Sequence, residues 1–167
     1  MESLIHKIKK AIVLSAEAEE HVYSIAKEKL IKKGEKLIHQ GNAVNKTYFV
    51  NDGCLRSFRL DKNGKEHTLQ FAIKDWWISD FIAIYNNELA SLTVECLKDS
   101  KVIEFNAKDL NKIHSLFPEF EPFQRMNLER HVVSLHKRIL NQLELTASER
   151  YDLFQEQYPD IEKYAPN

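Results

Sequence analysis

The chain has 167 residues, of which 43% are hydrophobic and 29% are charged, and its formal net charge is −1. This length allows one domain with a core of its own, or one domain with an appendage. The near-neutral charge argues against a freestanding nucleic-acid-binding domain, which is usually clearly basic, and no apolar run is long enough to span a membrane as a helix. The two cysteines, Cys54 and Cys96, are too few for a disulfide framework or a four-cysteine metal site, and we predict buried free thiols in a cytoplasmic protein.

The first segment, residues 2–29, has apolar side chains at helical spacing. Within it, Ser15 is followed by Glu17 and Glu19, which indicates a new helix N-cap with acids in its first turn. The apolar stretch before Ser15 is short and acids follow it at once. We therefore predict N-terminal helices and no secretion signal.

Residues 30–105 change to the alternating pattern of β-strands. Strict alternation would place His67, Leu69, Phe71 and Ile73 on one face of a strand. Short β-like runs are separated by turn signals, among them all four glycines of the protein: Gly34, Gly41, Gly53 and Gly64. Several short strands with glycine turns between them predict an antiparallel sandwich or jelly roll.

From residue 106 the helical period returns. Residues 106–117 predict a short helix, and residues 122–145, which lack glycine, predict a long helix of roughly 36 Å. Two apolar stripes run along the long helix, whereas a helix on the surface of one domain needs only one. We therefore infer that one face packs on the sandwich and the other on a second copy of the chain. The stripe with coiled-coil spacing, which we predict to form a homodimer interface, consists of Leu128, Val132, Leu135 and Ile139. The other stripe consists of Met126, Val133 and Leu140.

The pattern of residues 146–167 predicts the start of a further helical module. Ser148 is the expected N-cap, and Pro159 is the expected stop. The helix between them carries aromatic side chains that need a partner surface.

This order of elements resembles the Crp/Fnr family of transcription regulators, whose sensor half is a cyclic-nucleotide-binding-type domain. The local matches are IKKGEKLIHQGN, YFVNDGCLRSFRLDKNGKEHTLQFAI, DWWISDFIAIYNNELASLTVECLKDSKVIEF and SERYDLFQEQYPDIEKYAP, and the last is similar to variants in Bacteroidetes-type bacteria. The resemblance implies an α+β fold: an antiparallel β jelly roll flanked by N-terminal helices and a long C-terminal dimerisation helix.

The resemblance also implies a division into three parts. Residues 1–117 would be the sensor domain with its N-terminal helices, residues 118–145 the dimerisation helix, and residues 146–167 the start of a helix-turn-helix DNA-binding domain. We expect the native product to continue for on the order of one small module, through which a dimer would read a two-fold symmetric DNA site. The expected partners are a second copy, DNA and a small-molecule effector, with no membrane and no cofactor.

The resemblance locates a ligand site in the segment after the tryptophans. In the family, a Gly-Glu pair opens a short helix that faces the cyclic-nucleotide phosphate, and an Arg followed by Ser or Thr pairs with that phosphate. Here Ser79 and Asp80 stand at the Gly-Glu position, Phe81 begins the helix, and Ala90 and Ser91 stand at the Arg-Ser position. The glycine and the arginine are therefore replaced.

The missing arginine determines the predicted ligand. Residues 75–97 contain no lysine or arginine. A buried phosphate without a cationic partner loses a bond of roughly 1.5–3 kcal/mol, or about 10–150-fold in affinity. We predict that the domain binds cyclic AMP weakly or not at all and holds a less anionic small molecule. The predicted pocket walls, besides Phe81, are Phe71, Trp77, Val94 and, on the long helix, Arg130, His131 and Ser134.

Three functional hypotheses follow. The first is a ligand-responsive transcription regulator, and the second is a regulator with a degenerate pocket that acts as a ligand-independent dimer. The third is a jelly-roll enzyme of the cupin kind, which needs clustered His and Glu metal ligands, typically an H-x-H motif. The sequence has no such motif, so we predict that the protein is not an enzyme and carries no metal.

Overall fold

The computed structural model describes residues 1–159 and 161–164. It contains two compact units, Met1–Phe120 and the chain from Glu121 onward. In the described part of the chain, no helix is both long and apolar enough to cross a membrane.

Two helices begin the first unit, α1 over Glu2–Ala11 and α2 over Ala16–Ile25. The predicted N-cap is confirmed, because the Ser15 Oγ accepts the N–H of Ala18 at 3.2 Å. The predicted helix over residues 26–29 is wrong. These residues belong to a strand, β1 over Ala26–Ile31, because their backbone groups pair with a later strand of the sheet and this long-range pairing overrides local helical spacing.

The first unit is built on one antiparallel sheet. Its strands follow the order β1-β6-β3-β4, while β2 pairs with β6 and β5 pairs with β3. The strands after β1 are β2 (Lys36–Ile38), β3 (Lys46–Leu60), β4 (Glu66–Ala72), β5 (Trp77–Ile78) and β6 (Thr93–Asn106). Together with the flanking helices, this arrangement confirms the predicted α+β fold with an antiparallel jelly-roll sheet.

The two faces of the sheet are set by alternation along β3 and its partners. Tyr48 pairs with Ile78, and both belong to the interior cluster, whereas Phe49 pairs with Trp77 on the opposite face. The interior cluster is made of Ile31, Ile38, Tyr48, Val50, Leu55, Ala72, Ile78, Ala90, Val94, Cys96 and Val102.

Strand β4 departs from the predicted alternation. The register against β3 shifts so that Leu69 has no direct partner and is 45% exposed. Beyond this bulge it is Ala72 that joins the interior cluster, and Phe71 therefore faces the other side. The prediction that His67, Leu69, Phe71 and Ile73 share one face is wrong, because a one-residue bulge reverses the faces of the residues after it.

Helix α3 spans Phe81–Asn86, and helix α4, over Ala107–Leu116, closes the first unit together with a 3-10 turn at Pro118–Phe120. The predicted short helix after residue 106 is thereby confirmed, and Asn106 is its N-cap.

The second unit contains helix α5, over Glu121–Glu144, and helix α6, over Ala147–Gln157. The predicted long helix is confirmed within one residue at each end. The predicted N-cap of α6 is wrong. Thr146 caps the helix in a reciprocal capping box with Glu149, which satisfies two backbone N–H groups that a cap at Ser148 would leave unpaired. Residues 165–167, the end of the predicted further module, lie outside the described residues.

Candidate functional site

The predicted ligand segment forms a compact loop between β5 and β6, which we call the cassette and define as residues 79–92. Its centre is α3, which Asp80 caps at the N-terminus. The helix ends at Asn87 in the left-handed conformation (φ 55°), a position that asparagine tolerates better than most side chains. An N-cap aspartate and a C-terminal asparagine therefore explain why these six residues form one short helix with defined ends.

The carboxylate of Asp80 lies at the centre of the cassette and is fully buried. Its Oδ1 accepts the N–H of Ala83 at 3.1 Å, which is the N-cap hydrogen bond. Its Oδ2 accepts the N–H of Ser91 at 2.7 Å, the hydroxyl of Ser91 at 3.0 Å and the N–H of Leu92 at 2.9 Å. One carboxylate thus joins the start of the cassette to its end.

The other two predicted cassette positions are structural. Ser79 is buried, and its Oγ donates a hydrogen bond to the Lys46 carbonyl at 2.7 Å. Ala90 belongs to the interior cluster, and its N–H donates to the carbonyl of Asn42 at 2.8 Å. At the position where the family resemblance implies an arginine, the chain therefore has a small apolar side chain in its core.

Phe81 opens α3 and is half-buried. Its ring stacks on that of Tyr85 with the centroids 6.2 Å apart. The cassette thus offers an aromatic pair beside the buried carboxylate, and its hydrogen-bond donors at the site are neutral.

The predicted pocket walls divide between the faces of the sheet. Val94 is fully buried in the interior cluster. Trp77 lies on the opposite face, with its ring centroid 5.2 Å from that of Phe49 and 5.6 Å from that of Phe105, and Phe71 also faces away from the interior. The role of Trp77 and Phe71 as walls of a ligand pocket stays a prediction. Of the two tryptophans, Trp76 is the one that packs against the interior cluster.

Sequence reasoning missed two polar residues on the interior face, Ser57 and Gln70, which are direct partners across β3 and β4. Ser57 is 1% exposed, and its Oγ has no hydrogen-bond partner within the part of the chain that the structure describes. The Gln70 side chain donates to the Trp77 carbonyl at 3.0 Å. Alternation along β3 could have shown that Ser57 lies on the same face as Leu55. The bulge at Leu69 cannot be recognised from the sequence, so Gln70 could not be identified as the partner of Ser57.

The three predicted pocket residues of the long helix, Arg130, His131 and Ser134, lie within one turn or so of α5 in the second unit. His131 and Ser134 are half-buried, and Arg130 is exposed. Their role as walls of a ligand pocket stays a prediction.

The predicted dimer stripe lies on the exposed surface of α5. Its four residues are large hydrophobic side chains that the chain by itself leaves 39–52% exposed: Leu128, Val132, Leu135 and Ile139. Val133 and Leu140, from the second stripe, are exposed as well. An apolar surface of this extent on one helix is typical of an interface, and the dimer stays a prediction.

The two cysteines are buried free thiols, as predicted. Burial disfavours the thiolate and raises the pKa of Cys54 to about 11. A thiol of this kind is protonated at neutral pH, so this position is suited to packing.

Comparison with known proteins identifies the class of domain. The family model of the cyclic nucleotide-binding domain matches residues 28–115, which is more than half of the chain. The chain therefore belongs to the cyclic nucleotide-binding domain family.

Among individual proteins, the chain is similar to several transcription regulators. The transcriptional activator protein FnrA of Stutzerimonas stutzeri is 24% identical over 124 residues, which are 74% of this chain and 50% of that protein. The Thermus thermophilus catabolite activator protein is similar in structure, with a TM-score of 0.56, 19% identity, and coverage of 85% of this chain and 61% of that one. The sensor domain of the transcriptional regulator DNR from Pseudomonas aeruginosa has a TM-score of 0.60 at 19% identity, and the match covers 75% of this chain and 82% of that one.

These relatives confirm the predicted resemblance to the sensor half of Crp/Fnr regulators. The chain spans about half the length of the curated relative that it matches.

Proposed function

We propose that this chain contains the sensor domain of a Crp/Fnr-type transcription regulator, followed by its dimerisation helix and the start of its DNA-binding module, and that the sensor responds to a small ligand other than cyclic AMP. The observation that carries the proposal is the buried carboxylate of Asp80, which uses the donors of Ala83, Ser91 and Leu92. A cyclic-nucleotide phosphate brought to the same donors would meet an anion already bound there. Two unit charges at about 4 Å repel by about 4 kcal/mol at an effective dielectric constant near 20, which corresponds to roughly a thousandfold loss of affinity.

The position of Ala90 supports the same conclusion. Because this residue is in the interior cluster, no cation replaces the arginine at that position. A phosphate would then be desolvated with no charge to compensate it. An uncharged or weakly polar ligand avoids both costs.

The interior face offers such a ligand a different partner. Ser57 and Gln70 lie side by side there, and the unpaired hydroxyl of Ser57 costs free energy that a ligand hydrogen bond would recover. We expect these two residues to contribute to binding together with Val94.

Signal transmission would use the long helix. Ligand bound in the sensor would shift α5 between two arrangements against the α5 of a second copy, and so change the spacing of two DNA-binding modules. The exposed apolar stripe on α5 supports a homodimer, and the description of FnrA as a transcriptional activator supports DNA as the final partner. On this proposal the protein is a cytoplasmic binding protein without catalytic activity or cofactor.

A second candidate is a regulator that needs no ligand. It is favoured by the same carboxylate, because the cassette is closed by hydrogen bonds of the chain itself. In that case α5 would hold one dimer arrangement permanently.

Thermal unfolding against a metabolite panel separates these functions, because a ligand that prefers the folded state raises the Tm. If the protein is ligand-responsive, an uncharged metabolite should raise its Tm. A Ser57→Val variant should still fold, but the same metabolite should no longer raise its Tm. Calorimetric titration with cyclic AMP in parallel should give no micromolar binding, and micromolar binding would refute the proposed ligand class. No rise with any compound, together with a stable dimer, would favour the ligand-independent function.

A further inference from the structure

We propose that Asp80 is an internal anion of the cassette: its carboxylate holds the cassette in its closed arrangement, in the place that an external anion would otherwise occupy. The inference rests on the proposed function only in treating the cassette as the segment where a cyclic-nucleotide phosphate would otherwise bind. It goes further because it states that a side chain of the protein, and not a bound ligand, occupies the hydrogen-bond donors of the cassette. The cassette would therefore close without any anionic effector.

The geometry of the donors is the first argument. Ala83, Ser91 and Leu92 direct their backbone N–H groups at one carboxylate, and Ser91 adds its hydroxyl. These groups come from positions that are 3, 11 and 12 residues after Asp80. Convergence of neutral donors from both ends of a loop on a single point is how proteins bind an anion without a cation. Here the anion is covalently part of the loop.

Burial is the second argument. Asp80 is 0% exposed, so its carboxylate has exchanged water for these four donors. A carboxylate is costly to bury unless its lone pairs are satisfied. The donors would be equally costly to leave unpaired, since Leu92 and Ala83 are themselves buried. Carboxylate and donors therefore stabilise each other, and removal of either one should open the cassette.

A comparison with Asp99 shows how the buried carboxylate of Asp80 differs from an aspartate that binds a backbone N–H at the surface. Asp99 also accepts a backbone N–H, that of Lys33 at 2.9 Å, but its side chain is 61% exposed and it also binds the Lys32 ammonium. Water can replace Asp99 at that N–H, whereas the carboxylate of Asp80 is fully buried. Asp99 is for this reason a matched control.

The test is chemical rescue of a cassette without its carboxylate. An Asp80→Ala variant leaves a space of about the size of a carboxylate among unpaired donors, and its Tm should fall by roughly 5–15 °C. Sodium formate at about 100 mM should then raise the Tm of this variant by several degrees relative to the same concentration of sodium chloride. The wild type and an Asp99→Ala variant should show no difference between the two salts.

An isosteric variant separates charge from shape. Asp80→Asn keeps the volume but turns an amide NH₂ or a neutral oxygen toward the N–H groups of Ser91 and Leu92, so its Tm should fall nearly as far as that of Asp80→Ala. Formate should not restore it, because the side chain still fills the space. A wild-type Tm for Asp80→Asn, or an Asp80→Ala variant that is indifferent to formate, would overturn the proposal.

A measurement on the wild type covers the case in which the variants do not fold. The backbone amide protons of Ser91 and Leu92 should exchange slowly with solvent, and their NMR signals should not move when inorganic phosphate or cyclic AMP is added. Signals that move with phosphate would show an external anion at these donors and contradict the inference. Because neither readout depends on dimerisation, DNA or an effector, failure of the proposed function would leave these results unchanged.

Discussion

Gly53 and Ser100 are packed so closely that a Cβ atom on residue 53 would lie 2.1 Å from the Ser100 Oγ and 2.7 Å from its Cα. Gly53 has a φ of 106°, where side chains are rarely tolerated, and it lies where β3 shifts register against β6. Ser100 in turn accepts the Cys54 N–H at 3.1 Å. The glycine thus allows β3 to continue through a bulge while a buried serine fills the space beside it.

We predict that Gly53→Ala lowers the free energy of unfolding by about 3 kcal/mol or more, because backbone strain and a clash with main-chain atoms add together. Urea denaturation measures the change. Gly64→Ala is the matched control, since Gly64 has a φ of 79° and nothing within 4 Å of the added methyl group. That control should cost about 1 kcal/mol from strain alone. Equal losses for the two variants would contradict the packing role of Gly53.

A second prediction concerns Arg56, a buried cation on the face of β3 opposite the interior. Its guanidinium contacts Glu95 and Glu66 at 2.7 Å and lies 4.2 Å from the ring centroid of Phe58. Arg56→Met should cost about 2–4 kcal/mol in unfolding free energy, because Glu95 is left without its main partner in a half-buried position. Chemical denaturation of the variant measures this loss.

The control for Arg56 is a double-mutant cycle. Glu95→Gln in the Arg56→Met background removes the uncompensated charge, so the double variant should be more stable than Arg56→Met alone. Purely additive losses would mean that Arg56 stabilises the sheet through its packing on Phe58 rather than through the ion pair.

The sequence was sufficient for the elements whose signals are local. Ser15 caps α2, Asn106 precedes α4, and the uninterrupted segment after residue 121 forms α5. Each of these depends on residues within a few positions of one another. The placement of Ala90 at the position of the family's arginine came from the resemblance to the Crp/Fnr family.

One error is local, since Thr146 rather than Ser148 caps α6. The other errors concern properties that a distant part of the chain decides. Residues 26–29 have helical spacing but pair with β6. At Leu69, strand β4 has one residue more than the facing part of β3. Because of this bulge, Gln70 rather than Phe71 faces the interior beside Ser57. The role of Asp80 could not be predicted either, because its partners Ser91 and Leu92 reach it only after the chain has turned back through α3.

A third prediction uses the raised pKa of Cys54. Burial holds the pKa of this thiol near 11 in the folded protein, above its value of 9.0 in the unfolded chain. The group therefore contributes its full stability below pH 9 and loses it as the pH rises from about 9 to about 11, since the unfolded state gives up the proton first. Over that range the unfolding free energy of the wild type should fall more steeply than that of Cys54→Ala, and urea denaturation at each pH measures both slopes. Equal slopes would show that the thiol is not the titrating group.

The exposed stripe on α5 gives the last prediction. Leu135 is at its centre and is 39% exposed in the single chain. In a homodimer that pairs these stripes, Leu135→Lys would bury an ammonium group in the seam, at a cost of several kcal/mol, and we expect sedimentation equilibrium to show a monomer at concentrations where the wild type is a dimer. Glu144→Lys is the matched control, because nine residues at about 100° each place it on the opposite side of the helix from Leu135. It introduces the same side chain and should leave the dimer intact. If Leu135→Lys remained dimeric, the interface would lie elsewhere than on the stripe, and if both variants became monomeric, added charge rather than position would be the cause.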